Sequence, residues 1–160
     1  MTRDADTSAE PEVVLRAVEP DDILVFYEQH LDPESVRMAA VEPRSDRQAF
    51  VDHWTKVLAS DDNVAWTAVV DGEVAGHVVC WPQDGAHMVG YWFGREFWGR
   101  GIATKALAAF LTEDATRPLT AFVATHNVGS KRVLEKCGFE EVGRAFAEDG
   151  VEEFTLILRR

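Results

Sequence analysis

The chain has 160 residues, 46% of them apolar and 28% charged, with a formal net charge of −12 at pH 7. That is the length of one domain with enough apolar material for a core, which excludes global disorder. The acidic balance argues against general nucleic-acid binding, which rests on basic surfaces that release counterions.

Residues 1–11, "MTRDADTSAEP", are acidic and lack an apolar centre, so they read as a disordered, solvated tail and not as a signal peptide. Residues 12–160 read as one domain. "VVLRAV" (13–18) predicts a strand, and "PDDILVFYEQHL" (20–31) a helix with Asp21 or Asp22 as N-cap. Residues 32–45 carry prolines at 33 and 43 and leave room for a short helix. Over 46–60, Phe50, Trp54, Val57 and Leu58 share one helical face. "AWTAVV" (65–70), Asp71-Gly72 and "EVAGHVVCW" (73–81) form a hairpin signature. A strand over 86–94, a helix over 103–115 and a strand over 119–125 follow. A short helix over 128–138 stops at Gly138, and two strands flank "AEDG" at the end. This order predicts an α/β (α+β) class with a mixed, mostly antiparallel sheet, and a parallel crossover over 86–125. No run approaches the ~18 apolar residues of a membrane span. Cys80 and Cys137 stand apart in apolar surroundings without a C-x-x-C pair or Cys/His cluster. They read as core residues of a chain in a reducing, cytoplasmic setting with no structural metal.

"GREFWGRGIATKAL" (94–107) places three glycines just before a helix. The first N–H groups of a helix have no internal partner, and the helix dipole adds positive potential there. Glycine lets that backbone approach a bulky anion, so the turn suits a phosphate or pyrophosphate; a tight turn packed on Trp98 is the alternative. The stretch is not G-x-x-x-x-G-K-[ST], because Arg100 and Gly101 stand where Lys and Ser/Thr belong, and it is not G-x-G-x-x-G.

A second block, "HNVGSKRVLEKCGFEEVG" (126–143), sets Asn127 and Ser130 around a helix start. Together with "GYWFGREFWGRGIATKAL" it resembles the GNAT superfamily of N-acetyltransferases. The likeness is greatest to the branch that acetylates N-termini of ribosomal proteins, and it runs from about residue 15 to the last strand. The resemblance implies a sheet that splays between its fourth strand (86–93) and fifth strand (119–125), with helices on both faces. It implies acetyl-CoA as cofactor, its pantetheine arm in the splay. Trp98, Gly99, Arg100, Gly101, Ile102, Ala103 and Thr104 would cradle the pyrophosphate. Asn127 would bond the pantetheine or simply cap the helix, and Ser130 would lie near the sulfur. Arg95, Arg100, Lys131 and Arg132 are candidates for the 3′-phosphate, or plain surface charges.

The implied reaction is attack of a neutral amine on the thioester, with a strand 86–93 N–H on the oxyanion. An α-amine with pKa ~8 costs about 1.4 kcal/mol to deprotonate at pH 7, and a lysine at ~10.4 about 4.6 kcal/mol. The carboxylate many family members carry on the fourth strand is absent, with Met88 in its place. His87 is the neighbouring candidate base, although strand alternation puts it on the opposite face. The usual tyrosine acid is Leu134 here, which leaves Ser130 as the substitute. Glu28, His30, Glu34, Arg37 and Glu42 are candidates for the acceptor surface, and Tyr91 is either a substrate contact or core. The acceptor would be a small amine or a protein N-terminus, with neither nucleic acid nor membrane as partner, and the protein a monomer or homodimer. A non-catalytic acyl-CoA-binding module fits the missing glutamate and tyrosine too.

Overall fold

The computed structural model describes residues 11–39 and 46–160. The tail expected over the first residues, and Glu42, lie outside that set. In chain order the elements are β1 (Val13–Ala17), α1 (Pro20–His30), α2 (Pro33–Ala39), α3 (Arg47–Ala59), β2 (Val64–Val70), β3 (Glu73–Gln83) and β4 (Ala86–Phe93). A one-turn 3₁₀ helix (Arg95–Phe97) leads to α4 (Ile102–Glu113), then β5 (Leu119–Ala124), α5 (Val128–Lys136), β6 (Glu140–Phe146) and β7 (Glu152–Leu158).

Seven strands form one sheet in the order β1-β2-β3-β4-β5-β7-β6. Every neighbouring pair is antiparallel except β4–β5. That parallel pair is joined through α4, as the β–α–β reading required, because parallel neighbours need a long crossover. Each face of the sheet buries its own cluster. On one, Ile102, Ala106, Leu107 and Phe110 of α4 and Leu134 of α5 pack on Val78, Val89, Ala121 and Leu156. On the other, Phe26 of α1 meets Phe50 and Trp54 of α3.

Two boundaries differ from the sequence reading. Helix α1 begins at Pro20 with Glu19 as N-cap, and Asp22 is its third residue. Proline needs no donor at the first helical position, so the cap lies two or three residues upstream of where the aspartates suggested. Strand β3 runs on to Gln83, past Pro82, because a second two-residue Asp-Gly turn closes the β3–β4 hairpin. Asp84 and Gly85 have φ of 51° and 80°, matching Asp71 and Gly72 at 51° and 79°.

Asp22 is buried and ties β1, α1 and β2 together. Its carboxylate accepts from Arg16 Nη1 at 2.6 Å, Arg16 Nη2 at 2.9 Å, the Glu19 amide at 2.8 Å and Thr67 Oγ1 at 2.8 Å. Burial alone would raise its pKa. The donors and the Arg16 charge outweigh it and hold the carboxyl below its ordinary value. A carboxyl depressed by folding contributes stability above its unfolded pKa of ~3.9, and that contribution is lost as pH falls through the lower folded value. Asp22→Ala is expected to cost about 3 kcal/mol at neutral pH, because it strands Arg16 and Thr67. Urea unfolding checks this: the gap from the parent should close in strong acid, and a gap constant with pH would contradict it.

Candidate active site

Strands β4 and β5 pair only at His87–Leu119 and Met88–Thr120. Beyond Met88 they part, and the β5-facing edge of β4 has no ladder partner. A cavity of about 250 Å³ opens at this parting. Tyr91, Trp92 and Phe93 come from β4, Ser35, Met38 and Ala39 from α2, Trp98, Gly99 and Ala103 from the loop and start of α4, and Asn127, Gly129, Ser130 and Val133 from the start of α5.

The loop is shaped by its glycines. Gly99 and Gly101 have φ of 73° and 74°, a region side chains disfavour, and a Cβ on either would meet nothing within 4 Å. Gly101 is the N-cap of α4 and supplies no side-chain cap. A Ser or Asp there would take up one of the free amides; glycine leaves them open. Among the described residues, no main-chain or side-chain acceptor meets the N–H groups of Gly99 through Thr104, and the first bond into the helix is Lys105 N–H to Gly101 C=O at 3.1 Å. Trp98 fixes the loop by donating Nε1–H to Phe93 C=O at 3.0 Å, so the turn-packing role holds beside the open amides. Ile102 is 1% exposed and can offer an anion only its amide. The side chain of Arg100 lies 5.9 Å from the Phe97 ring centroid, and the Thr104 carbonyl accepts from Cys137 Sγ.

On the other wall, Asn127 caps α5 by accepting from Ser130 N–H at 3.2 Å. Ser130 Oγ lies 2.7 Å from the Tyr91 hydroxyl, which is also 3.1 Å from the Ser130 carbonyl oxygen. Burial pushes the Tyr91 phenol above its ordinary pKa.

The structure does not gather all the residues singled out above. His87 is exposed at the closed end of β4–β5, four residues from Tyr91, or roughly 13 Å along the strand. Glu28 lines a separate groove with Asp32, Arg95 and Glu96. His30 is packed in the aromatic cluster, stacked on Trp92 with ring centroids 3.8 Å apart, its Nδ1 3.0 Å from Phe26 C=O. Arg37 points outward and pairs with Glu34, and its backbone carbonyl is 2.7 Å from His126 Nε2. Of the acceptor candidates, Tyr91 alone lines the cavity. Of the 3′-phosphate candidates, Arg95 lies 3.4 Å from Asp32 and Lys131 2.8 Å from Glu141, so both are engaged.

Sequence reasoning missed the α2 wall and Trp92. The α2 residues sit in a proline-flanked segment with no clear period. Trp92 carried a usable signal, since it follows Tyr91 on the strand that borders the parallel crossover. His77 also went unremarked. It is buried against Phe26 and Trp54, and desolvation drives its pKa down to about 3, so it is a neutral core residue.

The sheet is thus parted along one parallel pair, with open amides at the mouth of the gap and an apolar slot behind them. The chain belongs to the GNAT acetyltransferase family: the model described as "Acetyltransferase (GNAT) domain" matches residues 12–140. An acyltransferase enzyme with acetyl-CoA as acyl donor is the class this family defines. Over 106 residues the chain is 27% identical to the Bacillus subtilis (strain 168) protein named "Putative ribosomal N-acetyltransferase YdaF". That match covers 62% of this chain and 58% of the relative, less than two thirds of its length. Among solved structures, spermidine N-acetyltransferase from Vibrio cholerae, in complex with CoA and spermine, superposes with a TM-score of 0.80 at 16% identity, covering 92% of this chain and 95% of that one. Aminoglycoside acetyltransferase AAC(6')-Ib, in complex with coenzyme A, gives 0.77 at 21% identity over 93% and 95%. At these identities the likeness establishes the fold. No helix among the described residues is long and apolar enough to cross a membrane.

Proposed function

We infer that the protein transfers an acetyl group from acetyl-CoA to a primary amine, either a protein or peptide N-terminus or a small amine, by direct attack in a ternary complex. The observation that carries this reading is the run of unpaired amides from Gly99 to Thr104 at the mouth of the β4–β5 gap. The amides would hold the pyrophosphate, as helix starts hold anions. Asn127 and Ser130 would flank the pantetheine end. Acetyl-CoA supplies the activated acyl carbon. The free edge of β4 past Met88 offers main-chain N–H groups to the thioester oxygen, where charge develops. Ser130 would donate a proton to the departing sulfur.

Deprotonation of the amine is the remaining requirement. Among the described cavity-lining residues, Tyr91 is the one titratable group, and burial keeps its phenol neutral. Water would then carry the proton out, which favours an acceptor costing about 1.4 kcal/mol to deprotonate over one costing about 4.6 kcal/mol. The ribosomal acceptor named for the Bacillus subtilis relative, and the amines in the titles of the solved structures, fit a primary amine in general terms.

Thiol release from acetyl-CoA with a panel of peptides and amines tests the reading. We expect kcat/KM to rise with pH and level off near each acceptor's own pKa, so that the inflection moves with the acceptor. One inflection common to all acceptors would reveal a base on the enzyme and contradict the water-carried proton. Tight acetyl-CoA binding without turnover on any acceptor would establish instead a non-catalytic acyl-CoA sensor, a reading favoured by the lack of a carboxylate among the described lining residues.

A further inference from the structure

Tyr91 and Ser130 are 39 positions apart in the chain yet share one proton-bearing contact at the gap. Tyr91 stands on β4 just beyond the point where β5 departs, and Ser130 in the first turn of α5. A phenol and a serine hydroxyl carry one proton each, so the contact can be wired in two ways. In the first, the phenol donates only to Ser130 C=O, and the serine spends its proton on the phenol oxygen. In the second, the phenol's proton lies on the shorter 2.7 Å contact to Oγ, and the serine proton is left for the cavity.

We propose that Tyr91 is a positioning residue that donates to Ser130 Oγ and thereby turns the Ser130 proton into the cavity, toward the sulfur of the acyl donor. This rests on the reading of Ser130 as proton donor given above. Two features support the second wiring. A serine that gives its proton to sulfur has none left for the phenol oxygen, so the 2.7 Å contact is then a hydrogen bond only with the phenol as donor. Burial keeps the phenol protonated, so it stays a donor across the working pH range.

The amine nitrogen's lone pair forms the C–N bond, and the C–S bond breaks with its pair on sulfur. Sulfur takes the Ser130 proton, and Oγ regains one from the nitrogen, directly or through water. Tyr91 keeps its proton throughout. Its hydrogen bond strengthens as negative charge grows on Oγ, because charged acceptors bind donors more tightly.

The sequence holds two tyrosines, Tyr27 and Tyr91, so protein labelled with 3-fluorotyrosine gives two fluorine signals, assigned with Tyr27→Phe. In the free protein, Ser130→Ala should shift the Tyr91 signal and leave that of Tyr27; an unmoved Tyr91 signal overturns the contact. In turnover, Tyr91→Phe should lower kcat about tenfold with the acetyl-CoA KM unchanged, the scale of one hydrogen bond. It should cost nothing further in the Ser130→Ala background. Additive losses would overturn the proposal. Full or raised kcat in Tyr91→Phe beside a slow Ser130→Ala would overturn it too, and would leave the Ser130 reading standing. Full kcat in Ser130→Ala would remove that reading itself. Should Tyr91→Phe fail to fold, the fluorine comparison still decides the contact.

Discussion

Gly101→Leu is expected to weaken acetyl-CoA binding about a hundredfold while the protein stays folded. Two effects combine. The φ of 74° at Gly101 costs a side-chain-bearing residue about 1–2 kcal/mol, which either destabilises the loop or moves it. A leucine side chain would also occupy the space over the amides of Gly99 to Thr104. Losing two amide contacts to a charged phosphate, at about 1.5 kcal/mol each, already amounts to about a hundredfold. Nothing lies within 4 Å of a Cβ at this position, so no core contact is broken. Gly72→Leu is the matched control. Its φ of 79° is equally unfavourable and its surroundings equally open, but it sits in the β2–β3 turn. It should lower the melting temperature and leave the affinity alone. Titration calorimetry of both variants separates backbone strain from loss of the cradle, and unchanged affinity in Gly101→Leu would refute the cradle.

Ser130→Ala is expected to lower kcat about a hundredfold, the lower end of what a positioned proton donor contributes. Binding of acetyl-CoA should change little, because the amide cradle lies on the other wall of the gap. The fold should hold as well: the main-chain N–H of residue 130 still reaches Asn127 Oδ1, so the α5 cap survives the loss of the hydroxyl. Steady-state kinetics with the best acceptor from the panel gives the test. A kcat within twofold of the parent would show that sulfur leaves without help from this residue, on the scale of well under one hydrogen bond. A raised acetyl-CoA KM with unchanged kcat would assign the hydroxyl to binding alone.

Much of the frame was legible because its signals are local. Asp71-Gly72 dictates a hairpin turn from two adjacent residues, and Asp84-Gly85 carries the same message for β3–β4, though it went unread beside Pro82. Helices α3 and α4 announce themselves by one apolar face each. The open loop was legible too, since glycine at 99 and 101 is the residue a left-handed backbone demands. The site's membership was harder to read. His87 and Tyr91 are separated on one strand by an even number of positions, and alternation says nothing about which end of the strand pair stays closed. That depends on where β5 stops pairing, which is a property of the sheet. His30 looked available on a helix rich in charge, but Trp92 and Phe50, from distant segments, enclose it. The Tyr91–Ser130 contact depends on α5 folding back onto the free edge of β4, and no spacing rule links the two positions.

The most direct test is a backbone amide NMR titration of the labelled protein with coenzyme A, set against pantetheine, which lacks the pyrophosphate. Coenzyme A should shift the amides of Gly99 through Thr104 most strongly, and pantetheine should move residues lining the β4–β5 cavity while leaving those amides in place. Equal shifts at Gly99 to Thr104 with both molecules, or none with coenzyme A, would contradict the assignment of this loop as the phosphate cradle.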